Sequence, residues 1–289
     1  MKSSPIFEPG RTLLVATEGW SDAGEAASGA LRMVVEHFGL IPYDVIDEES
    51  YFDYQVTRPY VELDAEGARV LSWPDITLYG PDDASTDPDA PYVLIGAEPS
   101  KLWRSLASQL VDQALAHDID GMVLVGAMLA DVPHSRPVRL ILSSDESIVR
   151  TRLDIERSTY EGPVGILSVI GLQAQQSGIP ALHVWAQVPH YVHTSPSPKA
   201  TLAILDRLED LLGIDIPRES LVDQAESWEE NIDQLAAEDD DMLAYIQQLE
   251  KQRDTVESPE ASGDAIAREF ERYLSRGPDR PNGLGSTEP

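Results

Sequence analysis

Short apolar runs that alternate with amphipathic helical patterns constrain the fold of this chain more than any other feature of its sequence. The run TLLVAT, residues 12–17, is short and rich in β-branched side chains, which is typical of a buried strand. Residues 22–38 then place apolar side chains at helical spacing, with Asp22 as the predicted helix cap. Strands that alternate with helices in this way predict a layered α/β fold with a mostly parallel sheet.

The same alternation continues as far as residue 212. Several strands follow one another before the second helix, so we expect part of the sheet to be antiparallel or mixed. Further strands are predicted at 43–46, 69–72, 76–79, 92–95, 122–125, 138–142 and 181–188, and further helices at 101–117, 164–176 and 198–212.

The charge and the periodicity of the chain both change near Ile216. Residues 215–289 carry 20 acidic and 7 basic side chains, and apolar residues there follow a seven-residue repeat. We predict an α/β core domain over residues 1–216, an acidic α-helical appendage over 217–276 and a flexible tail over 277–289. The appendage is expected to pack through a coiled-coil-like seam, formed by Leu221, Trp228, Ile232 and Leu235.

The acidic run at residues 238–241 interrupts this appendage, and the seam resumes at Met242, Ile246 and Leu249. Either one long helix carries a polar break, or two helices form a hairpin around the run. We favour the hairpin, because four adjacent acidic residues are a poor helix interior. A third, short helix is predicted at 264–275.

Composition excludes several classes of function. With 51 acidic and 21 basic residues, the chain has a formal net charge of −30, which argues against binding to nucleic acid or to an anionic membrane. The absence of cysteine excludes thiolate nucleophiles, cysteine-ligated zinc, iron–sulfur clusters and disulfides. No export signal is recognisable at the start of the sequence, so we expect a cytoplasmic protein.

Three loops that follow predicted strands carry the candidate functional residues. The first, TEGWSDAGEAASGAL, contains Trp20, Asp22 and Gly24 and leads into a helix whose N-terminus could hold an anion. It matches neither a P-loop nor the dinucleotide-binding fingerprint. The favoured interpretation is therefore structural: a glycine turn, a helix cap at Asp22 and close packing at Gly24.

The second loop, GAMLADVPHSRPV, places Asp131, His134 and Arg136 within six positions. The histidine could act as an acid or base and the arginine could hold a carboxylate or phosphate. The alternative, slightly favoured, is a proline-stiffened loop in which these three side chains satisfy one another.

The third loop, WAQVPHYVHTSPSPKA, repeats the VPH tripeptide and supplies His190, Tyr191 and His193. Loops after parallel strands gather at the carboxyl edge of the sheet, so the three loops could converge there. A metal site made of Asp131, His190 and His193 is the less favoured interpretation, because the spacing of these residues is not diagnostic. We expect neither a metal nor a cofactor.

Together, the segments EGWSDAG, GAMLADVPHSRP, YEGPVGI and LHVWAQVPHYVHTSPSPKA resemble the proteasome assembly chaperone family, in the branch named for the second assembly chaperone. The resemblance spans residues 11–216 in the same motif order and indicates a bacterial form with a helical C-terminal extension. It implies a three-layer α/β fold similar to the nucleoside-phosphorylase type. It also implies a homo-oligomer, for which a trimer is one plausible number, that binds proteins without ATP.

Two hypotheses for function follow. The first is a non-enzymatic, assembly-chaperone-like interaction protein, whose protein partners are basic or proteasome-related and whose acidic appendage steers them. The second is a small-molecule-binding protein or enzyme, carboligase-like or hydrolase- or phosphorylase-like, with a pocket at the carboxyl edge. In that case His134 or His190 would be the acid–base group, Arg136 the anion anchor, and Trp20 or Tyr191 a stacking wall.

Overall fold

A computed structural model describes residues 5–46, 49–82, 87–192 and 196–257. Its strands are β1 (Thr12–Glu18), β2 (Ile41–Ile46), β3 (Tyr60–Leu63), β4 (Arg69–Ser72), β5 (Ile76–Gly80), β6 (Tyr92–Ala97), β7 (Gly121–Ala130), β8 (Leu140–Ser143) and β9 (Ala181–Pro189). Its helices are α1 (Ala26–Phe38), α2 (Trp103–Ala116), α3 (Ser147–Leu153), α4 (Ile166–Gln176), α5 (Pro198–Leu212), α6 (Glu219–Ala237) and α7 (Asp240–Glu257).

Seven strands form one sheet in the order β2-β5-β6-β1-β7-β9-β8. The four strands β6, β1, β7 and β9 run parallel, while β2, β5 and β8 are antiparallel to their neighbours. Buried side chains of α1 and α5 form one apolar core and those of α2 and α4 form the other, so helices cover both faces of the sheet. The α/β fold with a mostly parallel, mixed sheet is therefore confirmed.

The central strands form where the sequence is apolar on both faces. Six of the seven β1 residues and the first seven of β7 are buried, which is typical of parallel strands covered by helices on both sides. The elements that we did not predict are β3 and α3. All four residues of β3 are exposed and only Val149 of α3 is buried, so neither segment carries a clear burial pattern.

The two C-terminal helices fold back on one another. Asp233 on α6 lies 3.0 Å from His134, while Glu250 on α7 contacts the adjacent Ser135. In one continuous helix these two acidic residues would lie about 25 Å apart, so the chain must reverse between α6 and α7. The turn falls at Glu238 and Asp239, and α6 and α7 are called the helical hairpin below.

The helical hairpin packs against the core with a register that differs from a strict heptad. Leu221 and Ile232 are buried as predicted, and Leu221 joins the core that contains α5. Leu235 is 59% exposed, and its neighbour Ala236 is buried instead, so the assignment of Leu235 to the seam is wrong. The physical reason is that a straight helix drifts relative to a seven-residue repeat. The short helix predicted at 264–275 and the tail at 277–289 lie outside the described residues, and the division into domains stays a prediction.

Candidate functional site

The three candidate loops meet at the carboxyl edge of the sheet. The backbone N–H of Ala127 at this end of β7 donates to the carbonyl of Ser21 in the first loop, at 2.8 Å. The N–H of Ser197, just before α5, donates to the carbonyl of Gly24, also at 2.8 Å. Gly24 has a φ of 63°, a left-handed conformation that glycine adopts without strain. The first loop is thereby bonded to both β7 and the start of α5.

Asp22 stabilises the start of α1, although the helix begins later than predicted. A short 3-10 turn, Ala23–Glu25, separates Asp22 from α1, and the Asp22 carboxylate accepts the N–H groups of Ala27 at 2.8 Å and Ser28 at 3.2 Å. Burial raises the pKa of Asp22, and these hydrogen bonds partly oppose that shift. The hydrogen bonds of Asp22 are therefore those expected of a helix cap.

His134 lies at the centre of the second loop and has no solvent-exposed side-chain surface. Its backbone N–H donates to Tyr191 Oη at 2.8 Å, and its Nδ1 lies 2.9 Å from the same oxygen. Its Nε2 lies 3.0 Å from an Asp233 carboxylate oxygen. Burial raises the pKa of Tyr191 to about 12, so the hydroxyl stays protonated and can donate to Nδ1. The network fits an imidazole whose Nε2–H donates to Asp233.

Ion pairs hold the helical hairpin over this loop. The Nε and Nη2 groups on one edge of the Arg136 guanidinium each donate to a different oxygen of the Asp254 carboxylate, both at 2.8 Å. These hydrogen bonds raise the pKa of Arg136 and lower that of Asp254. Lys199 at the start of α5 pairs with Glu229 on α6 and also donates to the His134 carbonyl. Cationic groups of the core thus face acidic groups of the helical hairpin.

Asp131 and His190 form a second cluster beside the first. His190 Nδ1 lies 3.3 Å from the Asp131 carboxylate, which also accepts the hydroxyl of Tyr245 on α7 at 3.3 Å. The rings of His190, Tyr191 and Tyr245 contact one another edge-on, with centroids 5.7–6.2 Å apart. The second and third loops therefore meet as predicted, and α7 closes over both.

The predicted site residue Trp20 does not belong to this cluster. Trp20 is 69% exposed, and its ring lies over Gly165 at the start of α4, on the other face of the sheet. His193 lies outside the described residues, so the proposed ligand set with Asp131 and His190 is not tested. Within the described part of the chain, no group of three or more metal-ligating side chains comes together.

The arrangement favours a structural use of the polar loops. The space between the loops and the helical hairpin is a cavity of about 10 Å³, lined by residues that include His134, Arg136, Lys199 and Trp228. That volume is close to the least that can hold one water molecule. Both His134 ring nitrogens already have partners, so a substrate could reach this histidine only if α6 moved away.

Sequence reasoning missed the residues with which the helical hairpin binds the loops. The contacts between the second loop and the hairpin join residues about a hundred positions apart, and no spacing rule links such distant segments. The one available signal was charge, since a basic residue between acidic helices is expected to pair. The missed residues are Ser135, Lys199, Glu229, Asp233, Tyr245, Glu250 and Asp254.

Comparisons with known proteins agree with the fold. A sequence model described as the PAC2 family matches residues 16–236. A proteasome-assembly chaperone homologue from Mycobacterium tuberculosis is similar, with 36% identity and a TM-score of 0.72 over 81% of this chain and 99% of that chain. A PAC2 family protein from Streptomyces avermitilis has 37% identity and a TM-score of 0.72, with the same coverage of both chains.

More distant similarity extends to an archaeal protein. A proteasome activator from Pyrococcus furiosus shares the fold, with a TM-score of 0.62 and 12% identity over 81% of this chain and 96% of that one. No curated protein matches the chain. Among the helices that the structure describes, none combines the length and the apolar character needed to cross a membrane.

Proposed function

Because the chain belongs to the PAC2 family, we propose that it is an assembly-chaperone-like protein that binds other proteins rather than an enzyme. The related structures include a proteasome-assembly chaperone homologue and an archaeal proteasome activator, so the partner class we propose is proteasome-related subunits. A cytoplasmic location and a homo-oligomer, for example a trimer, are part of this proposal.

The observation that carries the proposal is the use of the polar loops to hold the helical hairpin. His134 and Arg136 are the predicted acid–base group and anion anchor of an enzyme at this edge, and both, like the neighbouring Lys199, have an acidic partner on α6 or α7. A buried, fully bonded histidine is suited to fixing one arrangement of the loops. The same contacts hold an acidic helical surface in place on the outside of the molecule.

The outer face of the helical hairpin is the surface that we assign to the partner. Asp223, Glu226 and Glu230 on α6 are exposed, and the exposed residues 238–241 follow at the turn. A surface of one sign speeds encounter with a partner of the opposite sign and makes the association rate sensitive to salt. We therefore propose a partner with a basic surface.

The test is capture of partners by the full chain from a lysate of cells that carry its gene. In the variant D223N/E226Q/E230Q, the net charge changes from −30 to −27 only on the outer face of α6. We expect recovery of the specific partners to fall by about tenfold, as for loss of central interface charges. If proteasome subunits are among the proteins that the unmodified chain captures and this variant does not, the partner class is proteasome-related.

A matched variant controls for net charge alone. The substitutions E36Q, D112N and E156Q remove the same number of exposed acidic residues elsewhere on the molecule. We expect this variant to recover the same partners as the unmodified chain. Equal recovery by both variants would show that the outer face of α6 is not the partner surface.

A small-molecule site at the carboxyl edge is the second candidate, and the convergence of the three loops there is the observation that favours it. Such a ligand would need α6 to move away from His134 and α7 to move away from Arg136. We expect D233A, which removes the carboxylate bonded to His134, to reveal thermal stabilisation by small anions if this site exists. No stabilisation of the variant by phosphate or carboxylates would count against it.

A further inference from the structure

The cavity between the loops and the helical hairpin collects positive charge in an acidic chain. Four of the 21 basic residues, Arg136, Arg139, Lys199 and Arg253, line it. Within the part of the chain that the structure describes, no acidic residue lines this cavity. A concave surface of one sign raises the local concentration of ligands of the opposite sign, so the lining favours an anion.

Arg139 is the basic residue of this lining that the helical hairpin does not neutralise. Arg136 binds Asp254 and Lys199 binds Glu229, so two of the four charges are already compensated. The exposed guanidinium of Arg139, by contrast, forms no hydrogen bond or ion pair with any residue in the described ranges. It is therefore available to bind an anion without competition from the hairpin.

Ser197 supplies a second polar group without a partner. The residue is 1% exposed, lines the cavity and immediately precedes α5. Its N–H donates to the Gly24 carbonyl at 2.8 Å, and its carbonyl accepts the N–H groups of Ala200 and Thr201, each at 3.0 Å. Its hydroxyl does not cap the helix, as serine at this position usually does, and has no hydrogen bond to another described residue. The hydroxyl is therefore left for a ligand in the cavity.

The start of α5 adds a backbone donor at the same place. The first helical residue is Pro198, which has no N–H, and the N–H of Lys199 has no acceptor within the helix, because the residues before it lie outside α5. A helix of 15 residues also places partial positive charge at this end. Anions are stabilised at such a position.

The number of donors indicates the class of anion. Arg139, the Ser197 hydroxyl and the Lys199 N–H come from two different parts of the chain and border one cavity. A phosphate group offers three strong acceptor oxygens, one for each donor, whereas a carboxylate offers two. Guanidinium groups and helix N-termini are also the usual protein ligands of phosphate. The lining therefore fits a phosphate group better than a carboxylate.

A phosphate group needs more room than the closed cavity gives, and α7 is the element that can supply it. Arg253 of α7 forms part of the roof, and the Arg136–Asp254 pair holds α7 over the loop. Arginine binds phosphate through the same pair of parallel hydrogen bonds as it binds a carboxylate, so phosphate can replace Asp254 there. α6 is held separately by its buried residues, which include Leu221 and Ile232.

We propose that this chain binds a phosphate group at the start of α5, through Arg139, the Ser197 hydroxyl and the Lys199 N–H. Binding displaces α7 and leaves α6 in place, so His134 stays covered. The proposal goes beyond the proposed function, because it requires neither capture of a protein partner nor access to His134. Trp228 lines the same cavity and offers a ring on which an aromatic phosphate ester can stack.

The test is titration of the full chain with inorganic phosphate, followed by ³¹P NMR at an ionic strength held constant with NaCl. We expect saturable binding, with a dissociation constant raised at least about tenfold by S197A and by R139Q, since each removes one hydrogen bond to a charged ligand. The Ser197 hydroxyl makes no cap, so S197A should leave the melting temperature without phosphate unchanged, which a purely structural serine would not do.

The variants R104Q and S108A are the matched controls. They remove the same two side-chain groups from exposed positions of α2, on the other face of the sheet. Both should bind phosphate as the unmodified chain does. Addition of phosphate should also increase the hydrogen-exchange rates of α7 amides several-fold and leave those of α6 unchanged.

Two further ligands establish which molecule the site takes. Acetate should bind at least about tenfold more weakly than phosphate, because it leaves one donor unpaired; equal binding would overturn the assignment to phosphate. Phenyl phosphate should bind more tightly than inorganic phosphate if the ligand is an aromatic phosphate ester. Equal affinities of the two would support the site and identify inorganic phosphate as its ligand.

Two results would overturn the site. One is a phosphate affinity that S197A and R139Q leave unchanged. The other is binding of phosphate by D233A and not by the unmodified chain, because this would place the anion at His134 after movement of α6. Neither result bears on capture of a partner by the outer face of α6, so the proposed function is tested independently.

Discussion

His183 shows how burial dominates the pKa of one titratable residue, since the nearby charge of Asp145 opposes the effect of burial without outweighing it. It lies on β9 where α4 passes closest, and a Cβ added to Gly171 would lie 2.7 Å from its Nε2. Burial lowers the pKa of His183 to about 4. The imidazole is therefore neutral in the folded protein at neutral pH and is packed as an apolar ring between helix and sheet.

This burial predicts a loss of stability on mild acidification. The unfolded chain takes up a proton at His183 near pH 6.5, whereas the folded protein does so only near pH 4. The unfolded state thus binds more protons in this range, and the free energy of unfolding falls by about 3 kcal/mol as the pH falls from 6.5 to 4. Urea unfolding at these two pH values should show this contribution in the unmodified protein and in H37Q, which replaces an exposed histidine. In H183Q this part of the fall in the free energy of unfolding should be missing. The same pH dependence in H183Q and in the unmodified protein would contradict the assignment to His183.

His134 is the opposite case, because its environment supplies partners as well as burial. Tyr191 and Asp233 bind its two ring nitrogens, and Lys199 donates to its carbonyl. The sequence predicted that His134 and Arg136 belong to a polar loop at the carboxyl edge, and both lie there. It could not predict their acidic partners, because these are brought in by the chain reversal after α6.

At the scale of the elements, the sequence was most informative where burial imposes a pattern. β1 and β7 are apolar on both faces because helices cover them, so their runs of branched residues were recognisable. β3 and β4 are exposed on every residue, so burial imposes no alternating pattern there; β4 was predicted from its run of residues, whereas β3 was missed. The seam at Leu235 failed for a related reason: α6 packs on α5 with the period of a straight helix.

The docking of α7 depends on Arg136 to an extent that hydrogen exchange can measure. Because its guanidinium binds Asp254 through two parallel hydrogen bonds, R136Q should increase the exchange rates of α7 amides several-fold. R136K keeps the charge but cannot form both bonds, so its effect should fall between those of R136Q and the unmodified protein. Amides of β7 should be unaffected in both variants.

R157Q is the matched control for this measurement. Arg157 pairs with Asp145 at 3.1 Å on an exposed part of the surface, and such pairs contribute little. Its loss should leave exchange in α7 unchanged. Equal exchange in R136Q and R157Q would mean that apolar contacts of α7, chiefly those of Ile246 and Leu249, hold the helix without help from Arg136.

At the scale of the whole molecule, charge acts in two opposing ways. The net charge of −30 destabilises any compact state of the chain through self-repulsion. The same acidic residues include those that bind Arg136, Lys199 and His134 and thereby hold the helical hairpin on the core. Salt screens both effects, but the repulsion is summed over the entire molecule while the attraction is confined to a few contacts.

Salt should therefore move global and local stability in opposite directions. Raising NaCl from about 10 mM to about 100 mM shortens the Debye length from about 30 Å to about 10 Å, which removes most long-range repulsion. We expect the melting temperature to rise by about 2–4 °C, as for a gain of about 1 kcal/mol in a chain of this size. Exchange of α7 amides should become faster over the same range, because the exposed Arg136–Asp254 pair is screened as well. Sucrose at equal osmolarity should reproduce neither change. A melting temperature that falls together with α7 protection would show that the local ion pairs outweigh the self-repulsion of the whole chain.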